Sequence, residues 1–480
     1  MGVENPAPMH TPNPLSLGLD IGTTTIAAVA FDAAAGRLVA KATRLNDASS
    51  AAGEQNLAEL DLDRAFDIAI AALAEVTQSL GAQAKAVRSI GVTGQMHGVA
   101  FLGQDLCPVR TAITWQDQRA RDLLPEIIER AGGAGAFANM GCLPAAGYLG
   151  ATLFWLQRHA ALPDAHACCI PTAVAAMLTG RPPVSDATLA ASSGFFDIVH
   201  RCWPLQLFAD LGLPTHILPP VVELEGGRAG HLRAELADHL GLPGDLVVGV
   251  ALGDHQASLI GSGCEAPGAA HVNVGTSGQV SLVVERFMPA DAAHGIETRP
   301  FPGGRFVLTG AALCGGDALA LLRRFFLDVM AMFGKEVPNT DLHGDAAFEA
   351  MLSAAARVPP GADGVRATPT FDGARHRPGM RAALTGLRRD NFTPAHVTRA
   401  LVEGIAEELG TFYDVMRASA YSDPHVPQAP GALIGSGNAL RRNALLREAV
   451  SRRFGLPVRV PEWEEEAAVG AAMIAARLSP

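Results

Sequence analysis

The chain has 480 residues, nearly half of them apolar, with 37 basic and 48 acidic side chains and a formal net charge of −11. That length accommodates two or three domains at roughly 150 residues each, and the acidic balance argues against a nucleic-acid surface or an anionic membrane as main partner. The seven cysteines (Cys107, Cys142, Cys168, Cys169, Cys202, Cys264 and Cys314) are odd in number and lack paired CxxC spacing, which fits neither a disulfide framework nor a zinc site.

Met1 to Pro14 is rich in Pro, Asn and Ala, has no apolar signal-peptide core, and reads as a loose tail. No apolar run is long and uninterrupted enough to span a bilayer, so a cytoplasmic protein is expected. The run Leu17-Gly18-Leu19-Asp20-Ile21-Gly22-Thr23-Thr24-Thr25, followed by the apolar Ile26 to Phe31, predicts a strand, a tight turn and a second strand. Asp61 to Leu80, with Phe66, Ile70, Leu73 and Val76 at helical spacing, predicts an amphipathic helix. Val87 to Thr93 reads as a buried strand that delivers Gly94-Gln95-Met96-His97-Gly98 at its carboxyl end, where ligands gather in open α/β sheets. A second such strand end is Ala112-Ile113-Thr114-Trp115-Gln116-Asp117-Gln118-Arg119. Gly141 to Trp203 looks helical with loops and contains Ser185-Asp186-Ala187-Thr188 and Ala191 to Asp197. Cys168-Cys169 reads as two small residues at a strand end.

Leu246 to Leu252 is a nearly continuous β-rich run that delivers Gly253-Asp254-His255-Gln256-Ala257-Ser258. After it, Val272-Asn273-Val274-Gly275-Thr276-Ser277 and Val280 to Val284 repeat the strand–turn–strand pattern. In both turns glycine permits close approach of backbone to an anion, and N–H groups with a threonine hydroxyl can donate to phosphate oxygens. Only the first copy carries an aspartate, Asp20, which suits a metal ion beside those phosphates. Two copies in one strand context suggest a duplicated fold gripping a metal-nucleotide, with the domain boundary around Gly261 to Gly268. Ala318 to Phe333 and Thr393 to Met416 read as helices, the second capped by Thr393 with Pro394 in its first turn. Val358 to Pro378 reads as a surface loop region. Ala432 to Ile434 is a strand, Gly435-Ser436-Gly437-Asn438-Ala439-Leu440 a turn, and a helix then runs through Phe454. The last element, Glu464 to Ala476, opens with three glutamates that read as structural, since acids favour a helix N-terminus.

Taken in order from Leu15 to Leu478, these segments resemble the FGGY family of carbohydrate kinases. The resemblance rests on Asp20-Ile21-Gly22-Thr23-Thr24, Gly94-Gln95-Met96-His97-Gly98, Gly253-Asp254, Gly275-Thr276-Ser277 and Gly435-Ser436-Gly437-Asn438. It implies an α/β fold with two ribonuclease H-like (actin-like ATPase) domains, here 15–262 and 263–480 behind a tail at 1–14, with a central cleft holding the sugar and ATP between the domains. It implies ATP and Mg²⁺ as cofactors, a small-molecule ketose as acceptor, no nucleic-acid or membrane partner, and a homodimer as an option. Within the family, Gly94 to Val99, Thr114 to Asp117, Gly249 to Ser258 and Gly435 to Leu440 look most like enzymes acting on the seven-carbon ketose sedoheptulose. Xylulose or another pentulose is the alternative acceptor, and His255-Gln256 after the aspartate is what favours the longer sugar.

The resemblance makes Asp254 the catalytic base and implies sugar contacts from Gln95, Met96, His97, Trp115, Asp117, Asp254 and Gln256. It assigns ATP to Gly22, Thr23, Thr24, Gly275, Thr276, Ser277, Gly315, Gly435, Gly437 and Asn438, and the metal to Asp20. Phosphorylating a hydroxyl requires positioning, neutralised phosphate charge and a proton acceptor. A carboxylate just beyond a buried strand, as Asp254 is, suits the last task. Each assignment has a plain structural alternative: a helix cap for Asp254, a turn cap for Asp20, a satisfied core side chain for His97, packing for Trp115, and a helix-start turn for Gly437 and Asn438. Arg119 would orient Asp117. An actin-like nucleotide switch would use the two phosphate turns without needing Met96, His97 and Asp254.

Overall fold

The computed structural model describes residues 13–49, 57–224, 226–334, 345–377, 379–420 and 431–478. All but the last two residues of the expected 1–14 tail, and Pro378 at the end of the expected surface loop, lie outside the described residues. Contacts divide the chain into two units. One comprises Met1–Gly261, Pro300–Gly303 and Glu465–Pro480, the other Ser262–Arg299 and Gly304–Glu464. A contiguous boundary at 262/263 leaves the last helix with the second half, whereas the contacts return it to the first unit.

In the first unit, Leu15–Ile21 and Thr25–Asp32 pair antiparallel around the Gly22-Thr23-Thr24 turn, with Ile21 opposite Ile26. Arg37–Leu45 extends this meander on one side. On the other side Val87–Gly94 runs parallel to the first strand, followed by Val247–Gly249 and then Arg228–His231. The 246–252 run, expected as one strand, is two. Val248 faces Ile90 and Leu252 faces Thr93, so four steps on one strand oppose three on the other. The inserted residue breaks the ladder, and Val250 turns its N–H to the Gly227 carbonyl at 3.1 Å. Such bulges re-aim the residue that follows, here Gly253-Asp254.

The helix Leu62–Leu80 starts where the Asp61 side chain accepts the Arg64 N–H. Its buried Leu62, Ala65, Ile68, Ala69, Ala72, Leu73 and Val76 form one stripe that packs against the second and third strands. Leu62–Ala86 is long and apolar enough in composition to cross a membrane, which corrects the expectation that no run is, but that stripe belongs to the core. The terminal helix Glu466–Ala476 is buried nearly all round. It lies so close to the sheet that a Cβ at Gly18 would overlap the Ala468 carbonyl and one at Gly91 the Ala471 carbonyl. It meets the helix Asp254–Gly261 in the same way, through Gly470 against Ala257 and Gly261 against Glu466. The alanine- and glycine-rich text of the C-terminus is the signature of this double contact, which seats the helix that begins with Asp254.

The second unit is built on a six-stranded sheet in the order Ile296–Phe301, Arg305–Ala312, Gly278–Val284, Ala270–Val274, Leu433–Ser436, Val458–Arg459. Val274 faces Gly278 across the Gly275-Thr276-Ser277 turn, repeating the strand–turn–strand of the first unit. The long helix Pro394–Ala420 packs on this sheet, and Thr393 Oγ1 accepts the His396 N–H at its start. The helix expected to run from the Gly435 turn through Phe454 is two helices, Asn438–Arg442 and Ala444–Phe454. Asn443 leaves helical geometry between them and caps the second by accepting the Leu446 N–H at 3.0 Å.

Candidate active site

Strand register brings three chemically distinct strand ends of the first unit side by side. Asp20 and Ile21 lie opposite Thr93 and Gly94, which in turn lie opposite Leu252 and Gly253. The sequence-predicted Asp20, Gln95 to His97 and Asp254 are therefore gathered at one sheet edge by pairing alone.

Asp20 is the next-to-last residue of the first strand, and its Oδ1 is buried without a hydrogen-bond partner. Burial, then the charges of Asp254 and Glu465, push its carboxyl up to about 8. The adjoining turn is clamped by Asn46, whose Nδ2 donates to the Gly22 carbonyl at 2.7 Å and whose N–H donates to the Thr24 carbonyl at 2.8 Å. A Cβ at Gly22 would come within 2.6 Å of the Thr25 carbonyl oxygen. Thr23 Oγ1 accepts the Trp115 indole N–H at 3.0 Å, so Trp115, 43 % exposed, braces the turn from the second strand end.

Asp254 is the first residue of its helix and half-buried. Its Oδ1 accepts the His255 N–H at 2.7 Å, which satisfies a helix-start donor. Burial nevertheless outweighs that bond and holds the carboxyl at about 6, well above an ordinary aspartate. Gly253, just before it, is walled by Met96 Sδ and Gln256 Oε1, each 2.7 Å from where a Cβ would stand.

His97 adopts φ +76°, a left-handed backbone that is costly for a residue with a side chain. Its N–H donates to Ser192 Oγ at 3.1 Å, its Nδ1 lies 2.9 Å from the Ser192 carbonyl, and its ring stacks on Tyr148 at 4.1 Å. Gln95 is 2 % exposed, and neither end of its side-chain amide has a partner. A buried unpaired amide is expensive and points to a ligand group or water that completes it.

Two predicted sugar contacts are otherwise engaged. Asp117 is fully buried; its oxygens accept from the Ala58 N–H, the Arg119 N–H and the Arg119 guanidinium, all at 2.8–2.9 Å. Asp117 thus orders its strand end through bonds within the protein, with Arg119 as the orienting partner. Gln256 is also fully buried, with Nε2 donating to the Pro300 carbonyl at 3.0 Å and Oε1 unpaired beside Gly253.

In the second unit the other candidates converge on the second turn. Its carbonyls receive the start of the helix Gly316–Met332: the Gly315 N–H and Asp317 N–H donate to Thr276, and the Gly316 N–H donates to Gly275. A Cβ at Gly315 would overlap Ser277, and one at Gly437 (φ +85°) would overlap the Asn273 side chain. Gly435 is packed against Leu440 and Val458, while Thr276, Ser277 and Asn438 are exposed.

Sequence reasoning passed over four contributors. Glu465, taken with its neighbours as a helix-start acid, also accepts from Thr43 Oγ1 at 2.7 Å and bears on Asp20. Asp186, Thr188 and Ser192 lie in segments that read only as polar text, because Thr188 and Ser192 meet Gly253 and His97 across 65 and 95 residues of chain and Asp186 acts through Thr188.

Two family models match the chain: the N-terminal domain of the FGGY family of carbohydrate kinases over residues 15–261, and the C-terminal domain of the same family over residues 270–479. The sequence is 31 % identical to a sedoheptulokinase of Homo sapiens, covering 97 % of this chain and 98 % of that one. It is 30 % identical to a xylulose kinase of Streptomyces coelicolor, covering 97 % and 88 %. Among solved structures, xylulose kinase from Rhodospirillum rubrum superposes with a TM-score of 0.82 at 27 % identity, over 96 % of this chain and 89 % of that one.

Proposed function

Because the chain belongs to the FGGY family of carbohydrate kinases, phosphotransferases with an alcohol acceptor and the two-domain actin-like ATPase fold, we propose that it transfers the γ-phosphate of ATP to the terminal hydroxyl of a ketose, sedoheptulose in preference to xylulose. The observation that carries this reading is the register that aligns Asp20, Gln95 to His97 and Asp254 at one sheet edge. A nucleotide switch has no need of the buried, unpaired Gln95 amide or of a carboxylate held at about 6.

Asp254 takes the proton of the attacking hydroxyl; at about 6 it is largely ionised at neutral pH yet more basic than a solvated aspartate. The Gln95 amide and His97 orient the sugar. In the first unit the backbone donors of the Gly22 turn suit phosphate oxygens, and in the second unit the exposed Thr276, Ser277 and Asn438 offer donors to a nucleotide. The residues present fit Mg²⁺: Asp20 has an orphaned, buried carboxyl oxygen, and the burial and neighbouring Asp254 and Glu465 charges that hold it protonated up to about 8 are what a bound cation would offset, ionising it; Mg²⁺ commonly takes one or two carboxylates with phosphates and waters completing its shell. When bound there, the ion would supply neutralisation of phosphate charge. Preference for sedoheptulose is supported by the 31 % identity that spans nearly the whole of both chains.

The test is ADP release measured with sedoheptulose, xylulose, ribulose and fructose, and without sugar. The highest kcat/KM with sedoheptulose supports the full reading. A clear preference for xylulose refutes the seven-carbon assignment alone, and hydrolysis indifferent to sugar refutes the kinase assignment for this chain.

A further inference from the structure

The peptide linking Leu252 to Gly253, one step before Asp254, is gripped at both polar ends by buried hydroxyls. Thr93 Oγ1 donates to the Leu252 carbonyl at 2.9 Å, and the Gly253 N–H donates to Thr188 Oγ1 at 2.8 Å. Because an N–H can only donate, Thr188 must place its own proton elsewhere, and Asp186 Oδ1 receives it at 2.9 Å. Asp186 is itself buried and fixed as the N-cap of the short helix Ala187–Ala191, accepting the Thr188 and Leu189 N–H groups. Glycine at 253 supplies no side chain to hold the turn, so beside its strand pairing with Gly94 these hydrogen bonds fix its orientation.

The far end of the same helix holds His97. Ser192 Oγ accepts the His97 N–H while donating to the Leu189 carbonyl at 2.7 Å. A residue at positive φ persists only where its surroundings over-determine it, and Ser192 supplies two of those bonds.

We propose that Thr188, oriented by Asp186, is the positioning residue for Asp254, and that Ser192 positions His97, so that this one buried helical turn sets the spacing between the proton acceptor and the sugar-orienting residue. The inference rests on the reading of Asp254 as the base. It adds a support to the reacting group that neither touches substrate nor carries charge into the site. Valine at 188 keeps the shape of threonine and leaves the Gly253 N–H without its acceptor. The peptide then turns toward another partner and carries Asp254 with it.

The experiment measures steady-state phosphorylation, with the ketose turned over best, in Thr188→Val and Thr188→Ser, alone and with Asp254→Asn. Thr188→Val is expected to lower kcat by about tenfold to a hundredfold, the scale of displacing a reacting group by an ångström, with KM for ATP unchanged. Thr188→Ser keeps the hydroxyl and stays near the parent. In the Asp254→Asn background Thr188→Val costs nothing further, because the group it positions is gone. The proposal is overturned if Thr188→Val stays within about twofold of the parent, if Thr188→Ser fails to recover kcat, or if Thr188→Val costs the same factor in both backgrounds. Thr188→Ala removes the same hydroxyl with less bulk and is read identically should the valine variant not fold. If Asp254→Asn alone turns over normally, the base assignment fails instead, which separates the two outcomes.

Discussion

Lowering the pH from 7 to 5 tests the proton acceptor most directly. With its carboxyl held at about 6, Asp254 is about nine-tenths ionised at pH 7 and about one-tenth at pH 5. A base works only when ionised, so kcat/KM should fall about tenfold across that interval and by a further tenfold for each unit below it. An aspartate at the ordinary 3.8 would still be more than about nine-tenths ionised at pH 5 and would leave the rate flat. The elevation comes from burial, opposed by the His255 N–H, so the limb reports the enclosure of this carboxyl. The assay is ADP release at subsaturating ketose, in saturating Mg²⁺ and ATP, with circular dichroism at each pH to verify folding. Asp254→Asn should lose about a hundredfold to ten-thousandfold and with it the limb. A folded parent enzyme whose kcat/KM is flat from pH 7 to 5 refutes the reasoning, and near-parent turnover in Asp254→Asn refutes the assignment outright.

Asp20→Ala should raise the Mg²⁺ concentration needed for half-maximal rate while leaving ketose KM nearly unchanged; identical Mg²⁺ titrations in variant and parent exclude the metal role. Gly91→Ala pushes a methyl into the Ala471 backbone and should cost about 1–3 kcal/mol, read as a lowered thermal midpoint; an unchanged midpoint means the terminal helix is not seated as described. Arg399 is almost wholly buried and holds Glu403 at 2.7 Å, whose carboxylate also accepts the Gly361 N–H. Arg399→Ala should destabilise by about 1–3 kcal/mol, because Glu403 loses its shortest cationic partner while keeping the Gly361 N–H and Arg452 at 3.9 Å; a loss below about 0.5 kcal/mol in urea unfolding would show the pair to count no more than a surface one.

Much of the local structure was legible in the sequence because it is dictated by neighbours in the chain. The two glycine–threonine turns announce themselves through flanking apolar strands, and the helix at Leu62–Leu80 through its stripe and the Asp61 cap. Asp254 and Asp20 were visible as carboxylates at strand ends, which is where a sheet collects its chemistry.

What the text could not convey is which distant groups already occupy a side chain. Asp117 and Arg119 read as a free acceptor with a helper, yet both of the aspartate's oxygens are taken up, and Gln256 is tied to Pro300, far along the chain. The terminal helix reads as part of the second half, but only three-dimensional packing shows its alanine and glycine face filling the space against Gly18, Gly91 and Gly261. Local propensity and periodicity act over a few residues and are written in order along the chain. Hydrogen-bond occupancy, the desolvation that lifts Asp254 and Asp20, and the hold of Thr188 on Gly253 are set by groups that meet only when the strands pair. Sequence therefore determined which residues have the chemistry, and tertiary structure decided which of them are left free to use it.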